Sequence, residues 1–175
     1  YGKLILRKKN KQLSQLYIHD SLTGLYNRMA YEKLALPLFQ QYMQKGRPVG
    51  ILFADADHLK YINDNFGHDM GNLAIRSIAS VIQQQCPVGS ISMRYGGDEF
   101  VCVIPDYSQS KIQQLKESIL ASLEEFSSTS RTVFPLEASI GFVVADDPVF
   151  SLNDYINLAD EKMYAEKKER KATRQ

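Results

Sequence analysis

The chain has 175 residues, of which 44% are hydrophobic and 23% charged, and its formal net charge is +1. A chain of this length can bury roughly 70% of the surface of its unfolded form, enough for one domain with its own core. The balanced charge argues against duplex nucleic acid or a membrane surface as a partner, and no apolar run approaches the ~20 residues that span a bilayer. The cysteines, Cys86 and Cys102, lack a disulfide or metal-ligand spacing and indicate reduced thiols in a cytosolic compartment.

The first segment, residues 3–19, is predicted to be a polar helix with a narrow apolar stripe. Leu6, Leu13 and Leu16 fall at spacings of seven and three, which fits a short coiled-coil seam as well as a plain N-terminal helix. We therefore expect residues 1–19 to be an N-terminal helix or linker, with a dimerising stalk as one of its two interpretations. Residues 20–175 are expected to form the globular domain.

After a turn-rich segment at 20–28, apolar patterns predict alternating helices and strands. The predicted helices cover about 28–45, disturbed at Pro37, and 70–85, 110–126 and 152–170. The predicted strands are 49–54 and 136–145, with a hairpin of 91–95 and 98–105 between them. From residue 49 onward the order is β-α-β-β-α-β-α, which is the ferredoxin-like arrangement followed by one helix, so an α+β fold is expected.

The most informative segment is Gly96-Gly97-Asp98-Glu99, at the turn of the predicted hairpin. A Gly-Gly pair between strand-like runs predicts a two-residue turn with positive φ. Such a turn does not require two adjacent carboxylates, which are poor strand formers. On its own, the tetrapeptide favours an ordinary solvated turn over a metal–phosphate site.

The predicted topology strengthens the second interpretation, because the strands that begin at 49 and 98 are the two central ones. The end of one strand then lies beside the start of the other, and Asp55, Asp98 and Glu99 converge. Like charges about 4 Å apart repel by roughly 4 kcal/mol at an effective dielectric of 20. A divalent cation reverses the sign of that interaction, and paired central-strand carboxylates are how palm-type nucleotidyl transferases hold two metal ions.

Four segments of the chain resemble the GGDEF family, the bacterial diguanylate cyclases that condense two GTP into cyclic di-GMP. Residues 20–28 are similar to D-x-L-T-G-L-x-N-R, and residues 55–64 to D-x-D-x-F-K-x-x-N-D, continuing to 72 like y-G-H-x-x-G-D. Residues 94–100 read R-Y-G-G-D-E-F in full, and residues 159–167 resemble A-D-x-A-L-Y-x-A-K. The resemblance spans about residues 20–171 and implies a palm-type, ferredoxin-like cyclase domain after an N-terminal helix.

The resemblance implies a metal site that holds two Mg²⁺ or Mn²⁺ ions. Asp55, Asp98, Glu99 and the main-chain carbonyl of Ala56 are its implied ligands. Asp98 and Glu99 are also the implied catalytic pair, with Asp98 near the ribose 3′-hydroxyl as base or as a further metal contact. The division of roles between the two stays open.

The resemblance also implies contacts to the GTP substrate. Its implied contact residues are Lys60, Lys167 and Lys171 for the triphosphate, Asn63, His68 and Asn72 for the base and ribose, and Gly96 and Gly97, which let the backbone approach the nucleotide. Without the resemblance, Lys167 and Lys171 fit a solvated helix face equally well.

The chain departs from the family pattern at several positions. Asn72 replaces an Asp, and because an amide offers one acceptor oxygen, we expect GTP to be held more weakly. Pro87 and Ser90 occupy the positions of an R-x-x-D product-inhibition motif, so no feedback inhibition is expected there. The Gly-Arg that follows the last motif is missing, and Leu59 replaces a Phe without chemical consequence.

The expected function is therefore that of a metal-dependent diguanylate cyclase that binds one GTP per domain and acts as a homodimer. The alternatives are a catalytically silent GTP-binding regulatory module and a plain dimerisation module. We expect a cytoplasmic domain, of a membrane-bound or soluble sensor protein whose sensory part precedes residue 1. The opening residues lack the length and cleavage site of a signal peptide.

Overall fold

The computed structural model describes residues 2–130 and 132–174, except for the side chains of residues 15 and 16. Some predicted features therefore lie outside the described residues. They are Tyr1, which begins the expected N-terminal helix, Gln175, which ends the expected domain, and the side chain of Leu16 in the expected coiled-coil seam. The strands within the described residues are β1 (Val49–Ala56), β2 (Ile91–Arg94), β3 (Glu99–Pro105) and β4 (Ala138–Ala145). The helices are α1 (Gly2–Ile18), α2 (Leu36–Gln44), α3 (Leu59–Phe66), α4 (His68–Gln85), α5 (Gln109–Thr129) and α6 (Leu152–Thr173).

The four strands form one antiparallel sheet in the order β2-β3-β1-β4. This is the predicted ferredoxin-like topology, with β1 and β3 at the centre. The continuous apolar run of β1 is buried because both faces of the sheet are covered. Leu52 and Ala54 belong to the core beneath α4 and α5, whereas Ile51 and Phe53 belong to the core beneath α2 and α6. Full burial of each large apolar side chain contributes about 1.5–3 kcal/mol.

The packing of α6 against β4 is unusually close at Gly141. A Cβ atom at this position would lie 2.2 Å from the carbonyl oxygen of Ala159 and 2.3 Å from the amide nitrogen of Met163. The helix can approach the sheet this far only because residue 141 has no side chain. The next turn of α6 carries Lys167, so this contact sets the distance between that lysine and the end of β1.

The helix expected over 28–45 is disturbed, as predicted, but in a specific way. A π-helical turn at Tyr31–Ala35 leads into α2, and the Leu36 amide donates to the carbonyl of Tyr31, five residues back. Pro37 lies at the first turn of α2, where its missing N–H is tolerated.

The sequence analysis does not predict α3, which connects β1 to α4. Leu59, Ile62 and Phe66 recur at helical spacing, but the helix has only eight residues, shorter than the roughly 10–12 by which an apolar pattern is identified as a helix. The next helix, α4, begins at His68 rather than near residue 70.

The N-terminal helix α1 exposes every side chain from residue 2 to residue 14. Within the described part of the chain, none of the helices has both the length and the hydropathy to cross a bilayer.

Candidate active site

The end of β1 lies directly beside the start of β3, where the acidic residues are found. Asp55 is paired with Glu99 in the antiparallel register, and the Ala56 amide donates to the Asp98 carbonyl oxygen at 2.9 Å. Residues directly opposite in an antiparallel pair present their side chains to the same face. The fold therefore brings Asp55, Ala56, Asp98 and Glu99 to the same end of the two central strands, which we call the acidic edge.

Asp55 is held in an electrostatically unfavourable position. Its pKa is raised to about 6, first by burial and then by the neighbouring Asp98 carboxylate, which together outweigh the Lys167 ammonium. Lys167 Nζ lies 2.9 Å from Oδ2 of Asp55 and 3.4 Å from Oδ1 of Asp57. These two carboxylates raise the pKa of Lys167 despite the opposing effect of its burial. Because Oδ1 of Asp55 is buried without a hydrogen-bond partner among the described residues, the ion pair leaves half of this carboxylate unsatisfied.

The loop that carries the two glycines differs from the predicted two-residue turn. It covers residues 95–98, and neither Gly96 nor Gly97 has a positive φ. The loop is closed instead by the amides of Tyr95 and Gly96, which donate to the Glu99 carbonyl oxygen at 2.7 and 3.3 Å. The expectation of positive φ is therefore wrong, because a four-residue loop does not need the mirror-image turn of a two-residue hairpin.

Gly96 instead lies against the side chain of Glu99. A Cβ atom at residue 96 would lie 2.9 Å from Oε1 of Glu99, whereas a Cβ at Gly97 would meet no atom within 4 Å. Burial raises the pKa of Glu99, and the Asp98 and Asp160 carboxylates raise it further against the effect of Arg28. Glu99 thus folds back over Gly96.

The acids lie close together but do not form a ready-made cluster. As the side chains stand, no three His, Cys, Asp or Glu groups among residues 2–130 and 132–174 are arranged to hold a metal ion. The buried, unsatisfied Oδ1 of Asp55 nevertheless fits a divalent cation, and the Asp98 carboxylate and Ala56 carbonyl are further oxygen ligands of the kind that Mg²⁺ prefers.

A cleft of about 520 Å³ opens beside the acids, and most of the residues that line it have charged side chains. Its walls come from the end of β1, the start of α3, the start of β4 and the last turns of α6. They contain all three lysines that the sequence suggests for the triphosphate, Lys60, Lys167 and Lys171. Asp98 lines the same cleft, so a carboxylate of the acidic edge and the three lysines, which form a cationic wall, border the same space.

Arg170 and Arg174 also line this cleft, and the family motifs do not include either of them. Together with Lys167 and Lys171 they are spaced three and four residues apart, which places all four on one face of α6. That spacing is the signal that could have identified them.

Asp57 is a further residue that the sequence analysis does not assign. It is 7% exposed, accepts a hydrogen bond from the Ser139 hydroxyl at 2.7 Å, and lies 3.5 Å from Arg170 Nη2. Arg170 also donates to Ser139, which is fully buried. Because Asp57 contacts Lys167 as well, this buried carboxylate orients two of the cations that line the cleft.

The residues expected at the base and ribose lie outside this cleft, on α3 and α4. Asn63 stands one turn after Lys60, and it packs so closely on α4 that a Cβ at Gly71 would lie 1.8 Å from its Oδ1. The neighbouring Asn72 is exposed, and so is His68 at the start of α4. Pro87 and Ser90 lie in the turn between α4 and β2, where the Ser90 hydroxyl donates to the Pro87 carbonyl oxygen at 2.7 Å.

Comparison with known proteins identifies the family of this chain. The family model described as diguanylate cyclase, GGDEF domain, matches residues 17–173. Diguanylate cyclase VdcA of Vibrio cholerae is 34% identical over 166 residues, which is 93% of this chain and 48% of VdcA. Diguanylate cyclase DgcP of Escherichia coli is 32% identical over 96% of this chain and 50% of its own length. The chain thus spans about half the length of these relatives.

The solved structures give the same result. The coiled coil and GGDEF domain of DgcB from Caulobacter crescentus, crystallised in complex with c-di-GMP, superpose with a TM-score of 0.87 at 27% identity. The match covers 95% of this chain and 89% of that one. With the family model covering nearly the whole chain, and with R-Y-G-G-D-E-F at the loop between β2 and β3, this chain belongs to the GGDEF family of diguanylate cyclase domains.

Proposed function

We propose that this domain is a diguanylate cyclase that condenses two GTP into cyclic di-GMP and releases pyrophosphate. The observation that carries the proposal is the buried, unpartnered Oδ1 of Asp55, which lies next to Asp98 at the edge of a cationic cleft. An acidic edge beside a basic wall is the charge arrangement that a metal–nucleotide complex requires, since the acids favour the cation and the wall favours the phosphates.

The triphosphate is assigned to the cleft between α3 and α6. A volume of about 520 Å³ lies within the range of small-molecule sites. Lys60, Lys167 and Lys171 bind the phosphates, and Arg170 and Arg174 add positive charge. Lys167 is already fixed by Asp55 and Asp57 without nucleotide, so little side-chain freedom is lost when phosphate oxygens replace part of that contact.

Asp55, Asp98, Glu99 and the Ala56 carbonyl are assigned to two Mg²⁺ or Mn²⁺ ions. When bound, these ions neutralise charge on the α-phosphate and favour ionisation of the attacking hydroxyl. Asp98 is the residue that we assign to accept the 3′-hydroxyl proton, with Glu99 as its partner. Gly96 allows Glu99 to adopt the required conformation, and Gly97 leaves room for the nucleotide next to the backbone.

The reaction joins nucleotides held by two domains, so the active form that we propose is a homodimer with one GTP on each domain. The exposed helix α1 is the candidate for presenting two domains to each other, either through its Leu6 and Leu13 stripe or as a simple spacer. Tethering converts the encounter of the two sites into a nearly intramolecular step. GTP as substrate implies that the domain works on the cytoplasmic side.

The experiment is an incubation of the protein with GTP and Mg²⁺, followed by chromatographic separation of the nucleotides. We expect cyclic di-GMP and pyrophosphate, and we expect the double variant Asp98→Ala/Glu99→Ala to give no product while it remains folded. A matched control is Glu124→Ala/Glu125→Ala, two adjacent exposed acids on α5, which should keep full activity. GTP binding without product by the unaltered protein would instead identify the silent regulatory module.

A further inference from the structure

We propose that Lys167 is a placeholder for the divalent cation: it neutralises Asp55 in the nucleotide-free domain and moves to the triphosphate when metal and nucleotide bind together. The inference rests on the proposed function, because it concerns the same cleft and the same ligands. Its consequence is that the domain binds a metal ion poorly without nucleotide and accepts the two ligands as a pair.

The placeholder contact is the ion pair at the end of β1. Lys167 Nζ donates to Oδ2 of Asp55 at 2.9 Å, so an ammonium occupies one of the two carboxylate oxygens that are assigned to the cation. A divalent ion on the other oxygen would share this carboxylate with the ammonium, and like charges at such short range repel strongly. The acidic edge is thus occupied by a lysine rather than open to a free metal ion.

The lysine satisfies only part of Asp55. Its Oδ1 atom is buried and has no hydrogen-bond partner among the described residues. An ammonium on Oδ2 leaves this oxygen without a partner, whereas a divalent ion accepts several oxygen ligands at once, including the neighbouring Asp98 carboxylate and Ala56 carbonyl. Asp55 therefore gains from the exchange, provided that Lys167 finds another anion.

Asp57 keeps Lys167 at the cleft during the exchange. Its Oδ1 lies 3.4 Å from Lys167 Nζ, and the carboxylate is almost fully buried. The Ser139 hydroxyl donates to it at 2.7 Å, and Arg170 lies against its other oxygen. Because Asp57 is held in this way, Lys167 can turn from Asp55 to a phosphate without leaving the wall that it already lines.

The exchange couples the two ligands. A metal ion alone meets the ammonium on Asp55, and a nucleotide alone draws Lys167 away and leaves Asp55 buried without a counter-charge. Neither cost remains when both ligands are bound. By linkage, the factor by which the metal ion strengthens nucleotide binding equals the factor by which the nucleotide strengthens metal binding.

The first experiment measures Mn²⁺ binding without nucleotide, with the free ion determined from its electron paramagnetic resonance signal. We expect Lys167→Met to bind Mn²⁺ at least about tenfold more tightly than the unaltered chain. The matched control, Lys60→Met, removes one positive charge from the same cleft. Lys60 is exposed and forms no ion pair with a described residue, so the affinity for Mn²⁺ should change by less than about twofold. If Lys167→Met does not fold, Lys167→Gln carries the same comparison, since its amide can still donate to Asp55.

The second experiment measures nucleotide binding by calorimetry, with EDTA or with Mg²⁺. The probe is a GTP analogue with a methylene group between the α- and β-phosphorus atoms, which cannot be condensed. Both lysine variants should bind it more weakly than the unaltered chain. The strengthening by Mg²⁺ should shrink by at least about tenfold in Lys167→Met and persist in Lys60→Met.

Three results would overturn the placeholder role. Equal Mn²⁺ affinity of Lys167→Met and the unaltered chain, including no binding by either, would show that the ammonium does not keep the ion away. Equal tightening in Lys60→Met would indicate a general effect of charge in the cleft. The same Mg²⁺ dependence in all three proteins would show that no exchange occurs. Failure of the unaltered chain to bind the analogue would contradict the proposed function instead, and the Mn²⁺ comparison would still decide the role of Lys167.

Discussion

Arg94 joins Asp20 to the loop between β2 and β3. Its Nη1 lies 3.2 Å from Oδ1 of Asp20, while its Nε and Nη2 donate to the Gly97 carbonyl oxygen at 3.1 and 2.7 Å. Asp20 in turn accepts hydrogen bonds from the Thr23 amide and hydroxyl. These bonds and Arg94 keep the pKa of Asp20 below its usual value, although burial opposes them. Two sequence motifs separated by more than seventy residues thus fix one short loop.

We expect Arg94→Lys to lower turnover about tenfold with little loss of stability, because an ammonium cannot bind the Gly97 carbonyl and Asp20 in the same fork geometry. Asp20→Asn should have a similar effect, since it weakens the same anchor. In the double variant the two losses should not add, because both residues act through one contact. The measurement is kcat for the four proteins, and fully additive losses would show that Asp20 acts on its own.

The two glycines of the loop should respond differently to alanine. Gly96→Ala places a Cβ 2.9 Å from Oε1 of Glu99, so the carboxylate must shift, and we expect kcat to fall roughly tenfold while the KM for GTP stays unchanged. Gly97→Ala meets no protein atom, so kcat should persist, but the new methyl group occupies space assigned to the nucleotide and KM should rise. Each variant serves as the control for the other in steady-state kinetics. The same change in both parameters for both variants would contradict the distinct roles.

Much of this site can be predicted from the chain, because the apolar runs determine which strands are central. The run at 49–54 indicates a central strand covered on both faces, and its end lies beside the start of β3, where Asp55 pairs with Glu99. What escapes prediction is short or depends on atomic contacts: α3 has only eight residues, and Gly96 lies against the Glu99 side chain without adopting a positive φ. Likewise, the spacing of the cations on α6 indicates a common face, but that this face borders the cleft beside the end of β1 is seen only in the structure.

Asp98→Asn should stabilise the domain while it removes activity. The Asp98 carboxylate raises the pKa of both Asp55 and Glu99, so it repels two neighbours when all three are ionised. Removal of its charge should raise the free energy of unfolding at pH 7 by about 1 kcal/mol, or Tm by about 2–4 °C. Asp146→Asn, which removes one exposed charge far from the site, is the control. An equal or lower Tm for Asp98→Asn in metal-free buffer would show that the acids do not repel each other.

Asn72→Asp should lower the KM for GTP. Asn72 is exposed on α4, next to the Gly71 on which Asn63 packs. If residue 72 faces guanine, a carboxylate can accept hydrogen bonds from both N1–H and N2–H, whereas the amide leaves one donor unpaired at a cost of about 1–3 kcal/mol. The expected decrease in KM is about tenfold. Asn10→Asp, which makes the same charge change on α1, should have no effect, and an unchanged KM in Asn72→Asp would remove residue 72 from the base site.

The stability of the metal-free domain should depend on pH through Asp55. Its pKa is about 6 in the folded protein, against an ordinary value of 3.8 for the unfolded chain. The unfolded state therefore loses its proton first, and the folded state loses stability relative to it as pH rises from about 4 to 6. Asp55→Asn removes this titration together with the ion pair to Lys167, which forms only as Asp55 ionises and is already included in the folded-state pKa. The informative quantity is thus the difference in unfolding free energy between variant and unaltered protein as a function of pH.

From denaturant titrations, we expect this difference to move in favour of the variant by on the order of 1 kcal/mol between pH 4 and 6 and to level off above 7. A difference that does not change with pH would mean that Asp55 ionises as it does in water, and that the acidic edge is not under the strain that a cation would relieve.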